Sequence, residues 1–174
     1  AAAELIGHAI ARRGDAAEYH GNFGSVLQAL GRTVEAVAAY ERALELRPAF
    51  PEALNNLGSA LQGLGRTAAA VERYQAALAL RPDYAAARAN LGTALHELGR
   101  PEEALDALSA AVAQDPGAAD ARLGLAAVLC DLGLPGEGEE QARAAVSLAG
   151  ADPEAHAALG KALYLQDRLA EAAD

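Results

Sequence analysis

The chain has 174 residues, half of them apolar and few aromatic, and its 14 Lys and Arg against 24 Asp and Glu give a net charge of −10. Nucleic acids and anionic membranes both attract clustered positive charge, so this balance argues against either as a partner. No apolar run approaches the ~20 residues of a membrane span. The single cysteine, Cys130, excludes an internal disulfide and favours a cytoplasmic location. Because Ala and Leu dominate, we expect a soluble, all-α chain.

The sequence repeats itself every 34 residues: Asn22-Phe23-Gly24-Ser25 returns as Asn56-Leu57-Gly58-Ser59 and as Asn90-Leu91-Gly92-Thr93. A fixed period of this length is typical of stacked supersecondary units that share a core with their neighbours. The period predicts the second helix of a truncated preceding repeat at 1–16, four full repeats at 17–50, 51–84, 85–118 and 119–152, and a partial fifth at 153–174. Since the chain starts with Ala and contains no Met, we expect it to be a segment of a longer protein.

Each repeat predicts two helices joined by a tight turn. In the second repeat, the first apolar-periodic stretch ends at Leu64-Gly65-Arg66 and the second ends before Pro82. Glycine supplies a left-handed helix cap, and proline cannot continue a helix from within. Matching turns follow Leu30 and Leu98, so the same pair of helices is expected in the neighbouring repeats.

The predicted helices carry a seam of small residues. At 100° per residue, Leu54, Leu57, Gly58 and Leu61 share one face of the first helix of the second repeat. Its second helix aligns Ala70, Tyr74 and Ala77, and the matching places hold Ala36, Tyr40, Ala43 and Ala104, Leu108, Ala111. The fourth repeat instead has Pro135, Gly136, Gly138 and Ala142, so its second helix is expected to be the least well packed.

The sequence predicts no catalytic residue, metal site or cofactor. The histidines His8, His20, His96 and His156 lack metal-ligand spacing, and we expect His20 and His156 to be half-buried packing residues. No glycine-rich phosphate loop is present. The carboxylate pairs Glu102-Glu103 and Glu139-Glu140 lie near helix starts, where they complement the helix dipole. Cys130 is expected to be an apolar filler or an exposed thiol.

Opposite the packing face runs a ladder of uncharged polar residues, one set per first helix. Amides and hydroxyls both donate and accept hydrogen bonds, so they suit the backbone of an extended peptide. A structural role, in which they hold neighbouring helices in register, is an equal alternative. In the fourth repeat Leu123, Gly124, Ala127 and Cys130 replace the ladder. The candidate peptide-binding residues are Asn22, Asn56, Asn90, Ser25, Ser59, Thr93, Gln28, Gln62 and His96.

The charge along the edge of the predicted groove is acidic. Glu18, Glu52, Asp120 and Glu154 recur there, with Glu97 and Asp131 further along. A neutral to basic peptide is therefore favoured over an acidic one.

The conjunction of Leu54, Leu57-Gly58, Leu61, Ala70, Tyr74, Ala77 and Pro82 at this period resembles the tetratricopeptide repeat family. This resemblance implies an α-solenoid of antiparallel helix pairs, a right-handed superhelix whose first helices line a concave peptide-binding groove. With the Asn residues, the segment from Leu46 to Leu61 is similar to the repeats of O-GlcNAc transferases and their bacterial relatives. There the matching Asn places grip the backbone of protein substrates.

Together these patterns predict a non-catalytic scaffold that binds an extended peptide. Two other functions stay open: the substrate-recruiting arm of a larger glycosyltransferase, and a scaffold that self-associates end to end through uncapped array ends. The sequence of the parent protein beyond Asp174 would separate the first of these from a free-standing scaffold.

Overall fold

A computed structural model describes residues 17–166, and this range contains nine α-helices. They are α1 (Ala17–Ala29), α2 (Thr33–Leu46), α3 (Pro51–Gly63), α4 (Thr67–Leu80), α5 (Ala85–Glu97), α6 (Pro101–Gln114), α7 (Ala119–Asp131), α8 (Pro135–Ala149) and α9 (Pro153–Leu165). The odd-numbered helices begin at residues 17, 51, 85, 119 and 153, which is the 34-residue period of the sequence. The helix predicted over 1–16 and the end of the partial repeat lie outside the described residues.

The chain forms two compact units, residues 1–87 and 88–174. In the first unit α1 packs on α2, α2 on α3 and α3 on α4. In the second unit α6 packs on α7, α7 on α8 and α8 on α9. The predicted all-α, solenoid-type architecture of consecutive helix pairs is confirmed within each unit.

The turn inside each helix pair closes through a left-handed glycine. Gly65 has a φ of 73°, its N–H donates to Gln62 O at 2.8 Å, and the N–H of Arg66 donates to Leu61 O at 2.9 Å. This double closure satisfies carbonyls that the end of α3 would otherwise leave unpaired. Glycines at the three matching turns also have positive φ, so one turn geometry serves every described pair: Gly31, Gly99 and Gly133.

The core of each of the first three helix pairs depends on a glycine that faces a large side chain. A Cβ added at Gly58 would lie 2.5 Å from Cε1 of Tyr74, whose side chain is 1% exposed. The same contact joins Gly24 to Tyr40, and in the second unit Gly92 to Leu108. The flanking alanines of the second helices are fully buried: Ala36, Ala43, Ala70, Ala77, Ala104 and Ala111. The predicted small-residue seam is therefore present.

The expectation that α8 would be loosely packed is wrong. A Cβ at Gly138 would meet Cys130 Sγ at 2.8 Å and Ala126 O at 3.1 Å. Ala142 and Ala145 are fully buried. With alanine at both facing positions, Ala126 and Ala142, the helices approach closely without a large side chain between them. The residues that suggested weak packing are the ones that allow close contact.

Glu139 is buried near the start of α8, where the sequence indicated only that it complements the helix dipole. It is 5% exposed, pairs with Arg143, and accepts a 2.6 Å hydrogen bond from Gln166 Nε2. The equivalent positions of earlier repeats hold Val37, Val71 and Leu105, and both valines are buried. Glu139 therefore occupies a core position of the repeat, where its two polar partners satisfy the carboxylate.

The two histidines expected to be half-buried differ. His20 is half-buried and lines an apolar cleft of about 400 Å³ between α1 and α2, together with Phe23 and Leu27. His156 is exposed, and its Nδ1 lies 2.9 Å from Asp152 O. The prediction for His156 is wrong because its helix face points to solvent at the start of α9.

Candidate functional site

The predicted ladder lies on the first helices of the repeats. In the first unit, six of its residues fall on α1 and α3, and we call them the polar strip: Asn22, Ser25, Gln28, Asn56, Ser59 and Gln62. In the second unit the other three, Asn90, Thr93 and His96, fall on α5. These two groups are described separately below.

Hydrogen bonds join α1 to α3 across the polar strip. Gln28 Nε2 donates to Ser59 Oγ at 3.1 Å, and Asn56 Nδ2 donates to Ser25 Oγ at 3.5 Å. Residues of the polar strip in one repeat therefore bind residues of the strip in the next repeat. The structural role considered for the ladder is present in this part of the chain.

The hydroxyls of two buried tyrosines, Tyr40 and Tyr74, form hydrogen bonds with residues of the polar strip. Tyr40 donates to Gln28 Oε1 at 3.0 Å and lies 3.2 Å from Ser25 Oγ, while Tyr74 donates to Gln62 Oε1 at 2.9 Å. Burial raises the pKa of Tyr40, partly offset by its hydrogen bond with Ser25, so the phenol stays protonated as a donor. Each buried hydroxyl needs a polar partner, and the strip supplies it.

This support explains where the glutamines of the ladder end. Where the second helix has Tyr40 or Tyr74, the first helix has a glutamine within hydrogen-bond distance. The third repeat has Leu108 in the tyrosine place and His96 in the glutamine place. Sequence reasoning did not connect the two positions, although the pairing of each Tyr with a Gln twelve residues earlier was a visible signal.

The two asparagines of the strip differ from each other. Asn22 is exposed, whereas Asn56 is half-buried and donates to Ser25 Oγ. Ser25 is itself exposed and donates to Gly21 O at 3.3 Å, while Gln28 is half-buried and its amide bonds with Ser59 and Tyr40. An incoming chain would therefore reach the amide of Asn22 most directly.

On α5 of the second unit the three ladder residues have different environments. Asn90 is half-buried, and Thr93 Oγ1 donates to Ala89 O of its own helix at 3.2 Å. His96 Nε2 lies 2.8 Å from Asp131 Oδ2, whose other oxygen accepts from Lys161 Nζ at 2.8 Å. Lys161, and to a lesser degree His96, holds the pKa of Asp131 below its usual range. His96 therefore joins a charged cluster with α7 and α9.

Two acidic residues of the predicted groove edge are paired with arginine. Glu18 pairs with Arg47, and Glu52 accepts from Arg81 Nη2 at 2.5 Å. Hydrogen bonds from these guanidinium groups lower the pKa of both carboxyls. Each guanidinium also lies over the aromatic ring three residues further on, at 4.9 and 5.0 Å from its centroid. Sequence reasoning missed these pairs, although both recur at the repeat period.

Cys130 is 7% exposed, and burial raises the pKa of its thiol, which fits the predicted apolar filler. Between residues 17 and 166, no group of three His, Cys, Asp or Glu side chains is placed to hold a metal ion. None of the helices in that range is long and apolar enough to cross a membrane.

Family models of the tetratricopeptide repeat match most of the chain. A model described as TPR repeat matches residues 24–65, and models described as tetratricopeptide repeat match 55–119, 95–147 and 153–174. No curated protein sequence matches the chain significantly.

Solved structures with the same architecture extend this result. A thermophilic TPR protein of Thermus thermophilus is 30% identical, with 90% of this chain and 86% of that chain covered and a TM-score of 0.77. A fragment of MamA from Desulfovibrio magneticus is 27% identical, with 90% and 89% covered and a TM-score of 0.78. YrrB, a TPR protein described as having an unusual peptide-binding site, is 24% identical, with 98% and 88% covered and a TM-score of 0.75. The likeness to YrrB shows the fold alone.

The chain belongs to the tetratricopeptide repeat family, as its sequence predicted. The matched models and the 30% identical structure agree with the consecutive helix pairs described above. It is a tetratricopeptide repeat scaffold, and its function depends on the surface that its repeats present.

Proposed function

We propose that the chain is a non-catalytic scaffold that binds an extended peptide along the polar strip of the first unit, with Asn22 and Asn56 as the principal contacts, and that Asn90 makes the same kind of contact in the second unit. The asparagines grip the ligand backbone, so binding depends little on ligand sequence. Ser25, Ser59, Thr93, Gln28, Gln62 and His96 support these contacts and hold the helices that present them.

The observation that carries this proposal is the division of labour within the polar strip. Gln28, Ser59 and Asn56 take part in hydrogen bonds between α1 and α3, and the glutamines accept from buried tyrosines, whereas Asn22 is exposed. A register role explains the bridging residues. It does not explain the amide of Asn22, since a solvent-facing place has no need of one.

The spacing of the strip suits an extended chain. Packed helices lie ~8–10 Å apart, and an extended peptide advances ~3.3 Å per residue, so equivalent asparagines would meet about every third ligand residue. An amide side chain can bind the N–H or the C=O of a peptide unit. One asparagine per repeat is thus enough to hold a strand without reading its side chains.

Charge favours a neutral to basic ligand. The whole chain carries −10, although Glu18 and Glu52 contribute less to the strip than their sequence positions suggest because each is paired with an arginine. A basic peptide would gain from this long-range field, and salt would weaken that gain. Contacts to the ligand backbone would be affected much less.

A peptide array tests the proposal. The double variant Asn22→Ala/Asn56→Ala removes both surface amides of the strip, and Gln75→Ala removes an exposed amide from α4, on a second helix. Uncharged ten-residue peptides retained by the unmodified chain should be lost by the double variant and kept by the control. Equal retention by all three proteins would show that the strip serves only to hold the helices.

A further inference from the structure

Asn55 is a buried polar residue at a position where the other repeats have none. It is 7% exposed, and the equivalent places hold Gly21, Ala89, Leu123 and Ala157. A polar group taken out of water is stable only if its hydrogen bonds are replaced. The partner of Asn55 therefore indicates why the second repeat has an amide there.

One partner of Asn55 is the amide of its neighbour in the polar strip. Asn55 Nδ2 donates to Asn56 Oδ1 at 3.3 Å, and Asn56 Nδ2 faces Ser25 Oγ at 3.5 Å. Ser25 Oγ donates its single proton to Gly21 O at 3.3 Å and accepts from the Tyr40 hydroxyl at 3.2 Å. Asn56 therefore presents its Nδ2 as a donor to Ser25 and its Oδ1 as an acceptor to Asn55. Both contacts favour the same orientation of the Asn56 amide.

We propose that Asn55 is a positioning residue that fixes the amide of Asn56 with its oxygen inward and its nitrogen toward Ser25 and the open face of the strip. Asn56 then serves the ligand chiefly as an N–H donor, and the group it selects is a backbone carbonyl. This inference rests on the proposed peptide-binding function and adds a direction to it, because a freely rotating amide would accept and donate equally.

Two substitutions separate positioning from space filling. Asn55→Ala introduces the residue that the next repeat has naturally at Ala89. Asn55→Asp keeps the shape of the side chain, but its carboxylate has no N–H to donate to Asn56. If Asn55 only fills space, the aspartate variant should behave as the unmodified chain does and only the alanine variant should differ. If it positions Asn56, the alanine variant should release the amide and the aspartate variant should reverse it, because a carboxylate accepts from the Asn56 nitrogen.

The experiment follows the side-chain NH₂ signals of Asn56 by NMR in ¹⁵N-labelled protein. The probe is N,N-dimethylacetamide, which has a carbonyl acceptor and no N–H. In the unmodified chain the probe should shift the Asn56 signals with saturation. In Asn55→Ala its apparent affinity at Asn56 should fall by up to about twofold, because an amide that turns freely presents its N–H about half of the time. In Asn55→Asp it should fall further, because the carboxylate accepts from Asn56 Nδ2 and turns that nitrogen away from the ligand.

Two results would overturn the inference. One is an unmodified chain in which the probe leaves the Asn56 NH₂ signals unmoved, a measurement that needs no variant to fold. The other is an equal response in the unmodified chain and in Asn55→Asp. Neither result depends on peptide capture. If the peptide array shows no binding but NMR finds the Asn56 amide oriented, only the proposed function is contradicted. If the array shows binding through the asparagines but NMR finds no orientation of the amide, only the positioning role is contradicted.

Discussion

Gly58→Ala should destabilise the chain, although alanine is the better helix former. Gly58 lies in α3 against the buried ring of Tyr74, and a Cβ there would sit 2.5 Å from Cε1 and 2.8 Å from Cδ1. Carbon atoms in contact normally lie ~3.5–4.0 Å apart. The ring would therefore have to move by about 1 Å, or α3 would have to separate from α4.

The expected size of the loss follows from three contributions. Replacing a helical glycine by alanine gains about 1 kcal/mol, whereas overpacking a closed core costs about 1–3 kcal/mol. Displacing the Tyr74 ring also disturbs its 2.9 Å hydrogen bond to Gln62, at a cost of about 1 kcal/mol. The net expectation is a loss of about 2 kcal/mol in the free energy of unfolding, since the unfavourable contributions exceed the gain.

Urea unfolding followed by circular dichroism measures this difference, with Gly63→Ala as the matched control. Gly63 ends the same helix and has nothing within 4 Å of an added Cβ, so that variant should be as stable as the unmodified chain or up to about 1 kcal/mol more stable. If Gly58→Ala were as stable as Gly63→Ala, the close contact with Tyr74 would not constrain the fold, and the account of the seam would be refuted.

Three further substitutions or reactions test other parts of the structure. Tyr40→Phe removes a buried hydroxyl that donates to Gln28 of the polar strip, and it should lower the free energy of unfolding in urea by about 1 kcal/mol. The control Tyr164→Phe changes an exposed ring and should have no measurable effect. Glu52→Gln should cause a small loss that high salt reduces, because the pair with Arg81 is largely exposed. Arg81 lowers the pKa of Glu52 in the folded chain, so the stability lost in Glu52→Gln should be at its full value above about pH 4.3. The loss should vanish as pH falls through the lower folded-state pKa. A difference in the free energy of unfolding between the two proteins that persists at pH 2 would contradict this. Cys130, buried with a raised pKa, should react with iodoacetamide far more slowly in the native chain than in urea, and equal rates would show that it is accessible.

The fold could be predicted from the sequence because packing residues repeat with the helical period. The small residue of each first helix tracks the size of its partner: Gly58 faces Tyr74, while Ala126 and Ala142 occupy the matching places of the fourth repeat. A left-handed cap likewise needs glycine, so the turns were visible as Leu-Gly-Arg. Such positions admit few residue types, which is why a pattern identifies them.

The hydrogen bonds of the site could not be predicted in the same way. A count of helix faces places Ser25 and Gln28 beside Asn22, but it does not show that Gln28 reaches Ser59 in the next repeat or accepts from Tyr40. Glu139 was missed as a buried residue for the same reason. Its partners come from other turns and another helix, and the relevant distances exist only in three dimensions.

The central claim is that the strip binds the backbone of an extended peptide. The direct measurement is fluorescence anisotropy with a labelled, uncharged ten-residue peptide of Ser, Thr, Gln and Val, and with copies in which one peptide bond at a time is replaced by an ester. An ester has no N–H, and its carbonyl is a weaker acceptor than that of an amide, so the replacement weakens backbone hydrogen bonds of either direction. We predict that the unmodified chain binds the parent peptide, that ester replacement at about every third bond weakens binding, and that Asn22→Ala/Asn56→Ala abolishes this pattern while Gln75→Ala preserves it. Binding that is indifferent to ester replacement at every bond, or unchanged in the double variant, would contradict the account.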